Sequence, residues 1–134
     1  MNPRFLLDTN IVIRWRAAPH RLSREQTRVL REVVRRREPL AVSAITLLEI
    51  ALLLAGRSSR SDIPVHDLLS ELESNPAFHI EPLTVDIAAE VAALGAPLRD
   101  PADRAIVATA RIRKLRLITS DRRIIDSKLV PTGA

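Results

Sequence analysis

The 134-residue chain has no cysteine, which excludes disulfides and any zinc site built on thiolates. Aromatic residues make up 2% of it and tyrosine is absent. The core must therefore be aliphatic, and binding of nucleic-acid bases on aromatic platforms is disfavoured. Trp15, Phe5 and Phe78 read as packing residues. The only glycines are Gly56, Gly95 and Gly133, so no Gly-rich phosphate loop exists. No signal peptide is evident, because the first apolar run, Phe5-Leu6-Leu7, is cut by Asp8. The most apolar stretch, residues 40–56, is short for a membrane span and carries Glu49 near its middle. These absences predict a cytoplasmic protein without a membrane segment.

What is present is a globular profile: 46% hydrophobic and 28% charged residues. The length fits one domain, 1–134, with one real core. The net charge is +5, and Lys114 and Lys128 are the only lysines. Arginine forks match phosphate oxygens bidentately, and a small basic protein often meets a polyanion. A GC-rich coding bias explains arginine over lysine, but not the excess of positive charge. His20, His66 and His79 lack metal-binding spacing and read as surface residues.

Short apolar segments alternate with helical ones. Strands are expected at residues 4–7, 40–42, 78–81 and 116–119, and helices at about 11–16, 23–37, 44–55, 64–74, 84–94, 100–113 and around Ile124-Ile125. Ser23 and Gln26 form a capping-box pattern. The helix after them has an apolar stripe of Val29, Leu30, Val33 and Val34, with Leu22 just before it. Arg24, Arg28, Arg31 and Arg35 lie at helical spacing on its opposite face, first of all a solvated surface and otherwise a peripheral track for a polyanion. Ser43 is a plausible N-cap and Gly56 a plausible helix stop, with a polar loop at 57–61. Strands alternating with helices predict an α/β fold with a parallel sheet covered on both faces, and ligands gather beyond the carboxyl ends of such strands.

Four acids interrupt segments where acids are hard to explain. Asp8 and Asp121 fall just past strand ends. Glu49 lies among Leu47, Leu48, Ile50 and Ala51, roughly 9 Å into its helix, and side chains there lean back toward the helix start. Asp103 lies in the first turn of a helix opened by Asp100-Pro101. Each position has a bland alternative. Asp8 and Asp121 could cap helices, and Asp100, Pro101 and Asp103 make an ordinary helix start. Glu49 is too deep to cap anything, so surface exposure is its alternative. A divalent cation accounts for all four together.

The segments Leu6-Leu7-Asp8-Thr9-Asn10, Ser43-Ala44-Ile45-Thr46-Leu47-Leu48-Glu49, Arg99-Asp100-Pro101-Ala102-Asp103-Arg104 and Thr119-Ser120-Asp121 resemble the PIN-domain family, and more narrowly the VapC toxins of bacterial toxin–antitoxin pairs. The resemblance covers nearly the whole chain. It implies a three-layer α/β/α sandwich with a four- or five-stranded parallel sheet. It also implies an endoribonuclease dependent on one or two Mg²⁺ or Mn²⁺ ions, leaving 5′-phosphate and 3′-hydroxyl ends. Asp8, Glu49, Asp103 and Asp121 fall on the family's acidic quartet, as both metal ligands and catalytic groups. Asn10, Thr46 and Ser120 fall on supporting polar positions. Asp100 is a second aspartate about one turn from Asp103, taken here as the cap. Arg14, Arg16, Arg99, Arg104, Arg122 and Arg123, near the acids in sequence, are candidates for guiding RNA. The resemblance further implies a homodimer and a VapB-like antitoxin partner, for which Ile50, Leu53, Leu54 and the helix from Pro64 could supply a groove. The alternative is a non-catalytic RNA-binding module with a structural ion. A receiver domain is disfavoured by the lack of an N-terminal acidic pair, and a DxD phosphatase by Thr9-Asn10 after Asp8.

Overall fold

Three consecutive buried residues, Phe5–Leu7, form the central strand β1. The chain then alternates between helices and three further strands. The computed structural model describes residues 1–55 and 64–134. The expected stop at Gly56 and the loop at 57–61 lie outside the described residues, as does the Leu54 side chain. In order after β1 come α1 (Thr9–Ala17), a 3-10 turn (Pro19–Arg21), α2 (Arg24–Arg35), β2 (Leu40–Ser43) and α3 (Ala44–Ala55). Then follow α4 (Val65–Ser74), β3 (Phe78–Glu81), α5 (Val85–Ala93), α6 (Pro101–Arg113), β4 (Arg116–Ile118) and α7 (Arg122–Ser127).

The four strands form one sheet in the order β3-β2-β1-β4, and every pairing is parallel. Leu6 stands opposite both Ala41 and Leu117, which fixes the register. Successive residues of a strand point to opposite faces, and the two cores follow that alternation. Phe5, Leu7, Leu40, Val42 and Ile118 face α1, α2 and α4, with Ile11, Leu30, Val33, Leu68 and Leu72. Leu6, Ala41 and Leu117 face α5, α6 and α7, with Ile87, Ile106, Val107 and Ile124. The result is the three-layer α/β/α sandwich, with four strands. Each fully buried aliphatic side chain contributes about 1.5–3 kcal/mol of transfer energy.

Local chemistry sets the helix ends. Ser23 and Gln26 close the expected capping box, each side chain bonded to the other's backbone N–H. Asp100 caps α6 through the Asp103 N–H at 2.9 Å, with Pro101 in the first turn. Gly95 takes φ +78° beyond α5, a conformation that glycine adopts without strain. Trp15 and Phe78 pack edge to face with centroids 6.1 Å apart.

The structure departs from the expected pattern at Val34 and at Ile50. Val34 is 52% exposed and Gln26 is buried in its stead, because residue 34 sits off the stripe made by 26, 29, 30 and 33. Ser43 ends β2 and caps α3 as expected, its hydroxyl accepting the Ile45 N–H at 3.2 Å. Ile50 belongs to the core and offers no groove, whereas Leu53 is 43% exposed. Among the described residues no helix is long and apolar enough to cross a membrane.

Candidate active site

Because all four strands run the same way, their carboxyl ends share one edge, and the site acids arrive there on four separate segments. Asp8 ends β1 and caps α1, accepting the Thr9 N–H at 2.8 Å. It is only 5% exposed. The Thr119 hydroxyl, just past β4, donates to its other oxygen at 2.6 Å. Two donors offset part of the cost of burying this carboxylate. Burial still dominates and raises its pKa, helped by the charge of Asp121; the bonds from Thr119 and Thr9 and the charge of Arg14 oppose this.

Glu49 is half-buried on α3. The Thr9 hydroxyl donates to it at 2.5 Å and lies 2.9 Å from the hydroxyl of the buried Thr46. Burial raises the Glu49 pKa; the Thr9 bond lowers it, and the charges of Asp8 and Asp100 push it upward again. Asp121 caps α7 through the Arg123 N–H at 2.9 Å, and its own N–H donates to Thr119 at 3.0 Å. The Arg123 guanidinium approaches the Asp121 carboxylate at 3.5 Å.

Asp103 is the exposed nerve of the group. Among the described residues no protein donor meets its carboxylate. Its pKa is pushed up to about 7, first by burial and then by the charges of Asp100, Asp121 and Asp8; Arg123 alone opposes them. Asp8, Asp100 and Asp121, from three other segments, are therefore near enough to raise the Asp103 pKa.

Thr9 and Thr119 were not among the residues singled out from sequence, although each fixes an acid. The only signal was position: one follows the first site acid and the other ends the last strand. Of the expected supporting residues, Thr46 joins the Thr9 network and Asp100 caps α6. Ser120 is exposed and accepts a bond from Gln26 at 2.8 Å, and Asn10 is exposed and makes none of the site's hydrogen bonds.

The arginines divide. Arg14 stands close enough to act on Asp8. Arg123 meets Asp121, Arg122 pairs with Asp126 at 3.1 Å, and Arg99 is exposed beside Asp100. Arg16 is engaged with Glu71 at 2.7 Å. Arg104 has its guanidinium on the carbonyls of Val91, Gly95 and Leu98 at 2.5–2.6 Å. That clamp ties the end of α5 to the start of α6, so Arg104 has a structural task beside Asp103.

A match to the family model described as "PIN domain" spans residues 5–128. The chain belongs to the PIN-domain family. It is 37% identical over 124 residues to Ribonuclease VapC22 of Mycobacterium tuberculosis, covering 89% of this chain and 88% of that protein. Among solved structures, it is similar to FitAcB from Neisseria gonorrhoeae, with a TM-score of 0.67 and 27% identity over 97% of this chain and 96% of that one. A toxin-antitoxin complex from Klebsiella pneumoniae matches with a TM-score of 0.65 and 26% identity, covering 96% and 97% of the two chains.

The donor set of this PIN domain is all oxygen: carboxylates, with threonine hydroxyls behind them. That chemistry suits Mg²⁺ or Mn²⁺ and not a soft metal. Among the described residues, however, no group of three or more acids and histidines is arranged to hold an ion as it stands. The case for a cation rests on the unmet charge at Asp103 and on the neighbours that raise its pKa, since a divalent ion relieves both.

Proposed function

We propose that this PIN domain is a metal-dependent endoribonuclease, the toxin of a type II toxin–antitoxin pair. The observation that carries the reading is the gathering of carboxylates from separate segments at one edge of a parallel sheet, where Asp103 meets no hydrogen-bond donor among the described residues and only Arg123 offsets its acidic neighbours. Identity of 37% with a protein named as a ribonuclease supports it.

Asp8 and Asp103 would hold the principal ion, and Glu49 and Asp121 a second ion or the attacking water. A divalent ion supplies charge neutralisation at the scissile phosphate and Lewis acidity toward water. The protein's own contribution is orientation. Thr119 sets the angle of Asp8, and Thr9, steadied by Thr46, sets that of Glu49. Until it is neutralised, the acidic edge repels RNA. Arg14, Arg99, Arg122 and Arg123 surround it with positive charge that draws the backbone in. In this reading water adds to phosphorus and the bond to the 3′-oxygen breaks, leaving a 5′-phosphate and a 3′-hydroxyl, as the family resemblance implies.

The partners follow the same reading: an RNA substrate, a protein antitoxin and a second copy of the chain. Leu48, Leu52 and Leu53 on α3, with Leu83 before α5 and Val85 at its start, are exposed apolar side chains available for protein contacts. Sequencing of RNA ends after brief expression tests the reading. New 5′-phosphate ends are expected with the natural chain and none with Asp8→Asn; identical end profiles would refute it.

A further inference from the structure

A cluster of positive charge runs along α2 and the turn after it. Residues 24–37 contain six arginines and two glutamates, in a chain whose net charge is +5. Arg24, Arg28, Arg31 and Arg35 form a stripe about 16 Å long at the helical rise. Glu25 pairs with Arg28, and Glu32 with Arg35 at 2.6 Å and Arg36 at 3.1 Å. Arg24 and Arg31 have no acidic partner among the described residues. Like charges four apart, as at 24 and 28 or 31 and 35, destabilise a helix by a few tenths of a kcal/mol. Among the described residues two of the four arginines of the stripe are balanced by glutamates, and Arg24 and Arg31 are left to meet an anion.

The stripe is also not convex surface. With Pro19, His20, Leu22, Thr27 and Glu32, the last paired to Arg35, it lines a groove of about 540 Å³. The groove therefore has arginine forks along one side and a turn with an apolar residue along the other. The start of α2 is fastened to the active edge, because Gln26 donates both to Ser120, next to Asp121, and to the Ala134 carbonyl at 3.1 Å. The stripe begins at that fastening and leads away from it.

We infer that the α2 groove is a sequence-independent track for the RNA phosphate backbone, holding substrate beyond the residues being cleaved. The occupant is RNA because planar forks in a row match successive phosphates, and because the track is anchored next to Asp121. The inference rests on the ribonuclease reading for its purpose, but its physical content is separate.

Binding of a fluorescein-labelled 20-nucleotide single-stranded RNA to the full chain tests it, in EDTA so that cleavage is silent. The salt dependence is compared for the natural chain, for Arg24→Gln with Arg31→Gln, and for a control with the same charge loss, Lys114→Gln with Arg116→Gln. Glutamine keeps the helix propensity of arginine. Two lost phosphate contacts lower the slope of log K against log salt by about 1.4, at 0.7 per contact, and weaken binding roughly tenfold at 0.1 M salt. The control pair leaves the slope near that of the natural chain. An unchanged slope in the α2 variant, an equal drop in the control, or tighter binding of a 20-base-pair DNA duplex overturns the track. Cleavage of the same RNA by the natural chain in Mg²⁺ is scored in parallel. Cleavage with an unchanged α2 slope removes the track alone, and a lowered slope without cleavage removes the ribonuclease reading alone.

Discussion

Thr119 donates its hydroxyl proton to Asp8 at 2.6 Å across 111 residues of sequence. Both groups are buried, at 1% and 5% exposure. The bond joins the ends of neighbouring strands β1 and β4 and fixes the direction in which the Asp8 carboxylate presents its oxygens. Threonine 119 is thus a positioning residue for the first acid, as threonine 9 is for Glu49.

Replacing Thr119 with valine keeps its shape and removes the donor. Partner losses of this kind cost about 10–100-fold in metal affinity or activity. The expected outcome is a Mn²⁺ affinity lowered by that factor in calorimetric titration, with Thr119→Ser restoring most of it. Equal affinities for the natural chain and the valine variant would show that Asp8 needs no such support.

Thr9→Val should act through Glu49 in the same way. It removes a 2.5 Å bond and leaves the carboxylate without its hydroxyl donor. RNA cleavage is expected to fall about 10–100-fold. The Glu49→Gln and Thr9→Val losses should also fail to add when combined, since the two changes disable one unit. Additive losses would separate the two residues.

The acidic edge gives metal-free stability a pH dependence of definite sign. Asp103 is raised from the ordinary carboxylate range to about 7, and Asp8 and Glu49 are raised as well. Over that window the folded chain binds more protons than the unfolded chain. Stability therefore falls as pH rises from about 4 to 7. Solvent screening at the half-exposed Asp103 limits its share to about 1–2 kcal/mol. Thermal melts in EDTA should show a lower Tm at pH 8 than at pH 5.5, and Asp103→Asn should flatten the difference. Mg²⁺ should raise Tm more at pH 8. A metal-free Tm that climbs between pH 5.5 and 8 would contradict this.

Arg104→Ala should destabilise the chain by about 1–3 kcal/mol, because the Val91 carbonyl of α5 and the Gly95 and Leu98 carbonyls of the α5–α6 connection lose a charged donor. Urea unfolding measures it. Arg104→Lys should rescue only part, since one ammonium does not reproduce the fork. RNA affinity in EDTA should stay near that of the natural chain, which separates the clamp from a binding role.

Which parts of this were readable in the chain depends on the range of the physics involved. Local signals were clear. Ser23 with Gln26, and Asp100 with Pro101, announce helix starts because capping operates within a few residues. The alternation of apolar strands and helices gave a parallel sheet, hence a common edge for Asp8 and Asp121. Relations across the sheet were not readable. Thr119 looks like an ordinary β-branched strand residue until β4 is placed beside β1. Arg104 looks like a site cation because it adjoins Asp103, yet its guanidinium turns toward the carbonyls of the α5–α6 connection. Ile50 and Leu53 both belong to an apolar run, and only packing separates the core residue from the exposed one.

In the proposed site Asp8 and Asp103 share a divalent ion. Diffraction from crystals soaked in Mn²⁺, recorded where manganese scatters anomalously, tests it directly. The account predicts an anomalous peak within about 2.0–2.4 Å of oxygens from both carboxylates, absent from Asp8→Asn crystals. A peak elsewhere on the surface, or none at the edge under saturating Mn²⁺, would contradict it.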